Sequence, residues 1–289
     1  MAKSQAHKLG EFLGSFFEDL MKRPISSFAS KYELYFDSNG ERPARNGKKL
    51  SWTDINGSSH DLDFVLEKGG TESSIGEPIA FIELAWRSYT RHSKNKVQEI
   101  SGALNPICEK YRLNRPFKGA ILCGHFTDNS LNQLKADSFH VLYIPFEKMV
   151  QAFRVHGFDI FFDDKTRESE IRQKYAVLSK KRNIAALDQV REELLSCCEP
   201  EITAFISELE MSYLSVIEKI CILPLHGAQV ELSDVESAVR FISNYNTIPA
   251  DQKLEYIEVV VYYNDENVIN GRFKTKERAI SFLEQLKKR

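Results

Sequence analysis

Two acidic residues stand where acids are costly. Asp63 lies in Asp61-Leu62-Asp63-Phe64-Val65-Leu66, where alternation puts Leu62, Phe64 and Leu66 on one strand face and Asp61, Asp63 and Val65 on the other. Glu83 sits within Ile79-Ala80-Phe81-Ile82-Glu83-Leu84-Ala85-Trp86, a run with the composition of a buried central strand. A carboxylate there needs a compensating partner. A neighbouring Arg or a backbone amide is one such partner, and a divalent cation shared by Asp63 and Glu83 is another. Mg²⁺, with Mn²⁺ as a substitute, is bound by one or two protein carboxylates and keeps room for water and a phosphate oxygen. Such a centre activates water and stabilises the charge that develops in phosphodiester hydrolysis.

The elements that would position these acids follow from periodicity. Leu9, Phe12, Leu13, Phe16, Phe17 and Leu20 recur at the spacing of one buried helix face. Pro24 is expected to interrupt or restart that helix. A Gly/Arg/Asn/Lys-rich loop from Ser38 to Lys49 leads to strands at Leu50–Asp54 and His60–Leu66 around the turn Asn56-Gly57. After the Glu83 strand, a helix is expected from Ser93 to Tyr111, then a strand at Gly119–Gly124 and a short helix at Leu131–Ala136. A strand at His140–Ile144, a helix at Phe146–Val155 and a strand near Phe158–Phe162 complete this half. The order implies an α/β fold with a mixed central sheet flanked by helices. Composition shifts at Asp163, so residues 1–163 read as one domain and 164–289 as a smaller C-terminal α+β domain. In that second half, strands are expected at Ile217–Leu225, Tyr256–Tyr263 and Val268–Phe273, and helices after Ser233 and Thr275. No internal repeat stands out.

With this element order, the chain resembles the PD-(D/E)XK, or restriction-endonuclease-like, nuclease superfamily from about Leu9 to Ile144, Asp63 standing as the first acid and Glu83 as the second. The resemblance implies Mg²⁺-dependent hydrolysis of double-stranded DNA in a prokaryotic restriction-modification or antiviral defence setting. Cutting both strands needs two sites, so a homodimer or a subunit of a larger defence complex is implied. One position departs from the pattern: the family's lysine, two residues after the second acid, is Ala85. An alanine cannot orient water, so the role has moved or activity has been lost. Loss would leave a catalytically inactive nuclease-like subunit that binds DNA or acts as a scaffold. Migration to the following helix, known in the family, points to Lys96. One subgroup of restriction enzymes carries a Glu further along, here Glu99. A Glu of the first helix approaches the metal in several related nucleases, which points to Glu18.

Helix geometry ranks the substitutes. At ~100° per residue, Val97, Ile100, Leu104, Ile107 and Tyr111 define the face against the sheet, and Lys96 falls roughly 60° from its centre. Lys94 lies about 100° away on the other flank. Lys96 is the first choice for the missing lysine, and Arg87, on the same strand face as Glu83, the second. Glu99 reads as a metal ligand or as an i,i+3 partner of Lys96. Between Trp86 and Lys118 there are eight Lys or Arg against two acids, with Arg87, Arg91 and Lys94 placed to contact phosphates among neutral donors. A second basic loop, Arg42, Arg45, Lys48 and Lys49, could reach a DNA groove or be only a soluble loop.

The whole chain bounds these readings. Its 289 residues carry 39 Lys plus Arg against 41 Asp plus Glu, a net charge of −2, which excludes a polycation that coats nucleic acid. No apolar run approaches the ~18 residues of a membrane span, and Met-Ala-Lys-Ser-Gln opens a charged amphipathic segment unlike a signal peptide. Five cysteines without CxxC spacing argue against a zinc ribbon, and their odd count suits a cytoplasmic protein with reduced thiols. No P-loop, GxSxG, HExxH or GxGxxG element is present. The C-terminal half offers no catalytic cluster. Its hairpin Tyr256–Phe273 and final helix could supply DNA specificity, dimer contacts or binding to another subunit.

Overall fold

Helix α1 (Gln5–Lys31) carries the first apolar stripe, with Leu9, Leu13, Phe16, Phe17 and Leu20 buried. Ser4 caps it, its hydroxyl accepting from His7 N at 3.2 Å. The helix runs through Pro24 without the expected break. Ile25, Phe28 and Ala29 beyond the proline are also buried, and burying two large apolar side chains at about 1.5–3 kcal/mol each offsets a proline penalty of ~3 kcal/mol.

The structure, a computed structural model, describes residues 4–90, 93–163, 165–224, 228–246 and 255–287. The chain forms two compact units, Met1–Lys110 with Pro116–Leu209, and Tyr111–Arg115 with Glu210–Arg289. The division therefore does not fall at the composition shift after Asp163. The helices α5 (Glu168–Leu178) and α6 (Ile184–Cys197), which α7 (Glu199–Leu214) follows, bury Ile171, Leu178, Val190 and Leu194 within the first unit. They pack on α1 and α4 (Phe146–Val155), and Arg191 lies over the Phe16 ring at 4.6 Å.

In the first unit β1 (Tyr35–Ser38), β4 (Phe64–Lys68), β5 (Glu77–Arg87), β6 (Phe117–Gly124) and β7 (His140–Pro145) form one sheet in the order β1-β4-β5-β6-β7. β2 (Ser51–Thr53) and β3 (Ser59–Asp61) make a separate hairpin. The sheet is mixed: the pairs β1–β4 and β4–β5 are antiparallel, and β5–β6 and β6–β7 are parallel. The parallel pairs are joined by α2 (Ser93–Lys110) and α3 (Asp128–Ala136), as such pairs require. On β5, Trp86 stacks on Phe17 of α1 at 6.2 Å, while Phe81, on the opposite face, meets Trp52 of β2 at 5.1 Å. The fold is the expected α/β class, with a mixed central sheet flanked by helices in the first unit and a separate antiparallel sheet in the second.

Three local readings are corrected. The run from His60 to Leu66 is not one strand: β3 ends at Asp61, the chain bends at Asp63, and β4 starts at Phe64 in another sheet. Edge strand β1, only four residues long, carries too short a pattern to stand out against the helix before it. Phe158–Phe162 is extended but unpaired: Phe158, Ile160 and Phe162 are buried in alternation, which mimics a strand without a neighbour to complete it.

The second unit pairs β11 (Val268–Phe273), β10 (Ile257–Tyr263), β8 (Ile217–Pro224) and β9 (Val230–Leu232) in that order, all antiparallel. Helices α8 (Val235–Asn244) and α9 (Lys276–Leu286) cover one face, with Ile220, Ile222, Val259, Val261, Ile242 and Leu283 in the core. The unit is an internal repeat, hairpin then helix, twice. Asp234, Glu236, Ala238, Phe241 and Ile242 correspond at one offset to Thr275, Glu277, Ala279, Phe282 and Leu283. Asp234 and Thr275 cap their helices in the same way, accepting from Ser237 N and Arg278 N. Three of these five pairs are identical, but the strands before them share no identical residues at this offset, so the repeat stands out only once the elements are compared in order.

The basic loop before β2 has an internal role. Arg42 is buried between Asp37 and Glu67, at 2.6 and 2.7 Å, and donates to the Thr71 and Ser74 carbonyls. Arg45 is held by Asp37 at 3.0 Å and by the carbonyls of Ser38 and Gly40. The expectation that Arg45 contacts DNA is therefore replaced: its donors are taken, and its side chain is 7% exposed. Arg42→Ala would leave two carboxylates buried without their cation, and it is expected to lower the unfolding free energy in urea by about 3–5 kcal/mol.

Candidate active site

The ladder between β4 and β5 pairs Phe64 with Ile82. One step further along it, Asp63 comes alongside Glu83. One hydrogen bond ties the residues across this end: Leu84 N donates to Asp63 Oδ2 at 2.7 Å. Register, not the alternation of one strand, brings the two acids together. Asp61 points elsewhere, paired with Lys49 and accepting from Ser51 at 2.6 Å.

The pair is short of compensation. Glu83 is buried and its Oε1 has no hydrogen-bond partner. Burial, then the charge of Asp63, pushes the Glu83 carboxyl up to about 8, with Lys96 pulling the other way. Asp63 is also raised by burial, against the Leu84 amide and Lys96. Glu18 of α1 is raised by burial and then by Asp63, which puts a third carboxyl in the field of the pair. Hard carboxylate oxygens, one of them bare, are a donor set that fits Mg²⁺. Among the described residues, no group of three or more His, Cys, Asp or Glu side chains is arranged to hold a metal, so the fit rests on two acids.

A cleft of about 640 Å³ opens at the C-terminal end of β5. One wall is α1, where Gly10, Gly14 and Glu18 recur every four residues on one flank. The two glycines keep that wall thin. The other wall is the start of α2, with Asn95, Lys96 and Glu99. Lys96 is 23% exposed and lies 3.4 Å from Glu99, which is itself 61% exposed and sits 3.8 Å from Arg87. Arg87 donates to the Trp86 carbonyl at 3.1 Å and leaves a buried Nε without partner. Beside it Gly124, at φ +100°, lets β6 pass so near that a Cβ would lie 2.3 Å from the Arg87 carbonyl. Only glycine accommodates that approach.

The structure thus gathers Asp63, Glu83 and Lys96 by charge, and Lys96, Glu99 and Arg87 by contact. Lys94 is exposed on α2 and lines no cleft wall. Arg91 lies outside the described residues. Ala85 is buried on β5. Sequence reading passed over Gly10, Gly14 and the His7–Glu11 pair, 3.3 Å apart, at the mouth of the cleft. Their spacing along one flank of α1 was the available signal. Comparison with family models, curated proteins and solved structures finds no match for the chain.

The raised Glu83 carboxyl sets a pH dependence. Between its ordinary value of 4.5 and about 8, the folded chain keeps a proton that the unfolded chain has released, so stability falls as pH rises through this window. Glu83→Gln, neutral throughout, is expected to flatten that slope and to melt above the wild type above pH 8 without divalent cation. Millimolar Mg²⁺ should then raise the wild-type midpoint and leave that of the variant unchanged.

Proposed function

We propose that the protein is a metal-dependent DNA endonuclease of the PD-(D/E)XK type. One observation carries the reading: two carboxylates from paired strands, Glu83 buried and Asp63 partly so, stand side by side next to a cleft lined by Leu84, Lys96 and Arg87, with one oxygen of Glu83 bare and Lys96 only partly offsetting the charge. Asp63 and Glu83 would hold Mg²⁺, which when bound supplies Lewis-acid activation of water and of the scissile phosphate. The chain's own groups do the rest. Lys96, on the rim of the cleft and in the field of both acids, orients the attacking water and offsets its charge in place of the lysine absent at position 85. Glu99 holds Lys96 and Arg87 in position from the solvent side. Arg87, with an unpartnered Nε, and exposed Lys94 bind backbone phosphates. A homodimer would align two such sites on opposite strands, in a cytoplasmic restriction or phage-defence role.

A second reading is favoured by Ala85. If Lys96 does not serve in place of the motif lysine, the fold binds DNA without cutting it and acts as a scaffold subunit.

Plasmid nicking in Mg²⁺ separates the two. Asp63→Ala and Glu83→Ala should each lower the rate by about 10²-fold or more, Lys96→Ala by about 10²–10³-fold, and Lys96→Arg by less. Equal nicking by wild type and Glu83→Ala overturns the nuclease reading. Binding without cutting, with an affinity that falls steeply with salt, supports the second.

A further inference from the structure

Next to the cleft at the end of β5 lies a smaller cavity of about 330 Å³, and it shares Ser88 and Tyr89 with that cleft. It opens at the C-terminal ends of β5 and β6, bounded by Thr90, His125, Phe161 and Asp163. Phe161 is 44% exposed, yet it is backed by other rings. Its ring stacks on buried Phe146 at 6.1 Å and 28°, and Phe146 in turn packs on His125 at 4.6 Å and on Trp86 at 5.7 Å. Phe162, the next residue, is buried and meets Tyr89 edge-on at 6.1 Å. Anchoring from behind fixes the Phe161 ring while its front stays open to a flat ligand. The rim is polar, with the hydroxyls of Ser88 and Thr90 and the Asp163 carboxylate, groups suited to the edge of a heterocycle.

Ring and phosphate sites side by side match the two ends of a nucleotide. We propose that this cavity is a nucleobase subsite that receives an unstacked base of the strand cut in the neighbouring cleft. The inference rests on the nuclease reading above and narrows its substrate. A base inside an intact duplex is stacked on both faces and cannot enter such a cavity. The preferred substrate is therefore DNA with an unpaired nucleotide beside the cut: a single strand, an overhang, or a base extruded at a cost of a few kcal/mol. Phe161 supplies the stacking platform, and Asp163, whose Oδ1 is taken by Lys165 N and Thr166 Oγ1, accepts from an exocyclic amino group through Oδ2.

Binding is tested on the full chain without divalent cation, using a short single strand that carries 2-aminopurine and the same strand in a perfect duplex. The single strand is expected to bind at least about 10-fold more tightly, with its 2-aminopurine fluorescence changed on binding. Phe161→Ala should weaken that binding about 5- to 100-fold, and Phe161→Trp should restore it. Because Phe161 is half-exposed, neither variant opens a core cavity, and unchanged melting curves verify the fold. Equal binding of strand and duplex, or a Phe161→Ala variant that binds as wild type does, overturns the subsite. If Glu83-dependent plasmid nicking persists in that case, the nuclease reading stands alone. If no DNA is bound or cut, both fall.

Discussion

Burying a charge without a partner is the constraint around which the first unit is organised. Glu83 lies in the central strand of a sheet covered by helices on both faces, where water cannot solvate it. Its neighbour across the ladder is a second acid, so the strand pairing that gives the sheet its stability also concentrates negative charge at one end. Lys96 stands off at the cleft wall and only partly offsets that charge. Two acids so placed are short of compensation, and the neighbouring cleft wall carries Leu84 and Lys96, the residues that donate to Asp63 and oppose the charge of the pair.

The same unit contains a buried acidic pair that resolves the problem differently. Asp37 and Glu67 also approach each other on neighbouring strands, but Arg42 lies between them and Arg45 closes the far side. Every oxygen there is supplied from within the chain, which makes the group a structural clamp on the β1–β4 edge. Glu67 also accepts from Gly76 N at 2.7 Å, which ties the loop before β5 to the same clamp. The contrast distinguishes a structural cluster from a candidate reactive one. The first is saturated by protein donors, and the second has an oxygen left over.

The cleft and the aromatic cavity occupy the C-terminal ends of β5 and β6, where the parallel strands release the chain into loops and helix starts. Backbone there is free to be shaped, while the strands beneath hold it in place. The second unit adds a duplicated hairpin–helix module, whose four-stranded sheet is covered on one face by α8 and α9.

Much of the fold was legible in sequence because helix and strand periods record which face is buried. The stripes of α1 and α2, the apolar run of β5 and the exact span of α4 reflect local hydrophobic pattern. Residue type also singled out Asp63 and Glu83, since acids beside or within apolar runs are rare and costly. What the sequence could not carry was long-range. Alternation through Asp61–Leu66 suggested one strand, whereas the bend at Asp63 assigned its two ends to different sheets. Arg45 and Lys94 looked alike as basic surface residues until packing enclosed one and left the other in water. The unit boundary and the unpaired stretch at Phe158–Phe162 depend on which surfaces meet, and composition does not encode that. Sequence alone determined which residues are expensive to bury. Tertiary structure decided which of them found a partner, because compensation of charge depends on distance in space and not along the chain.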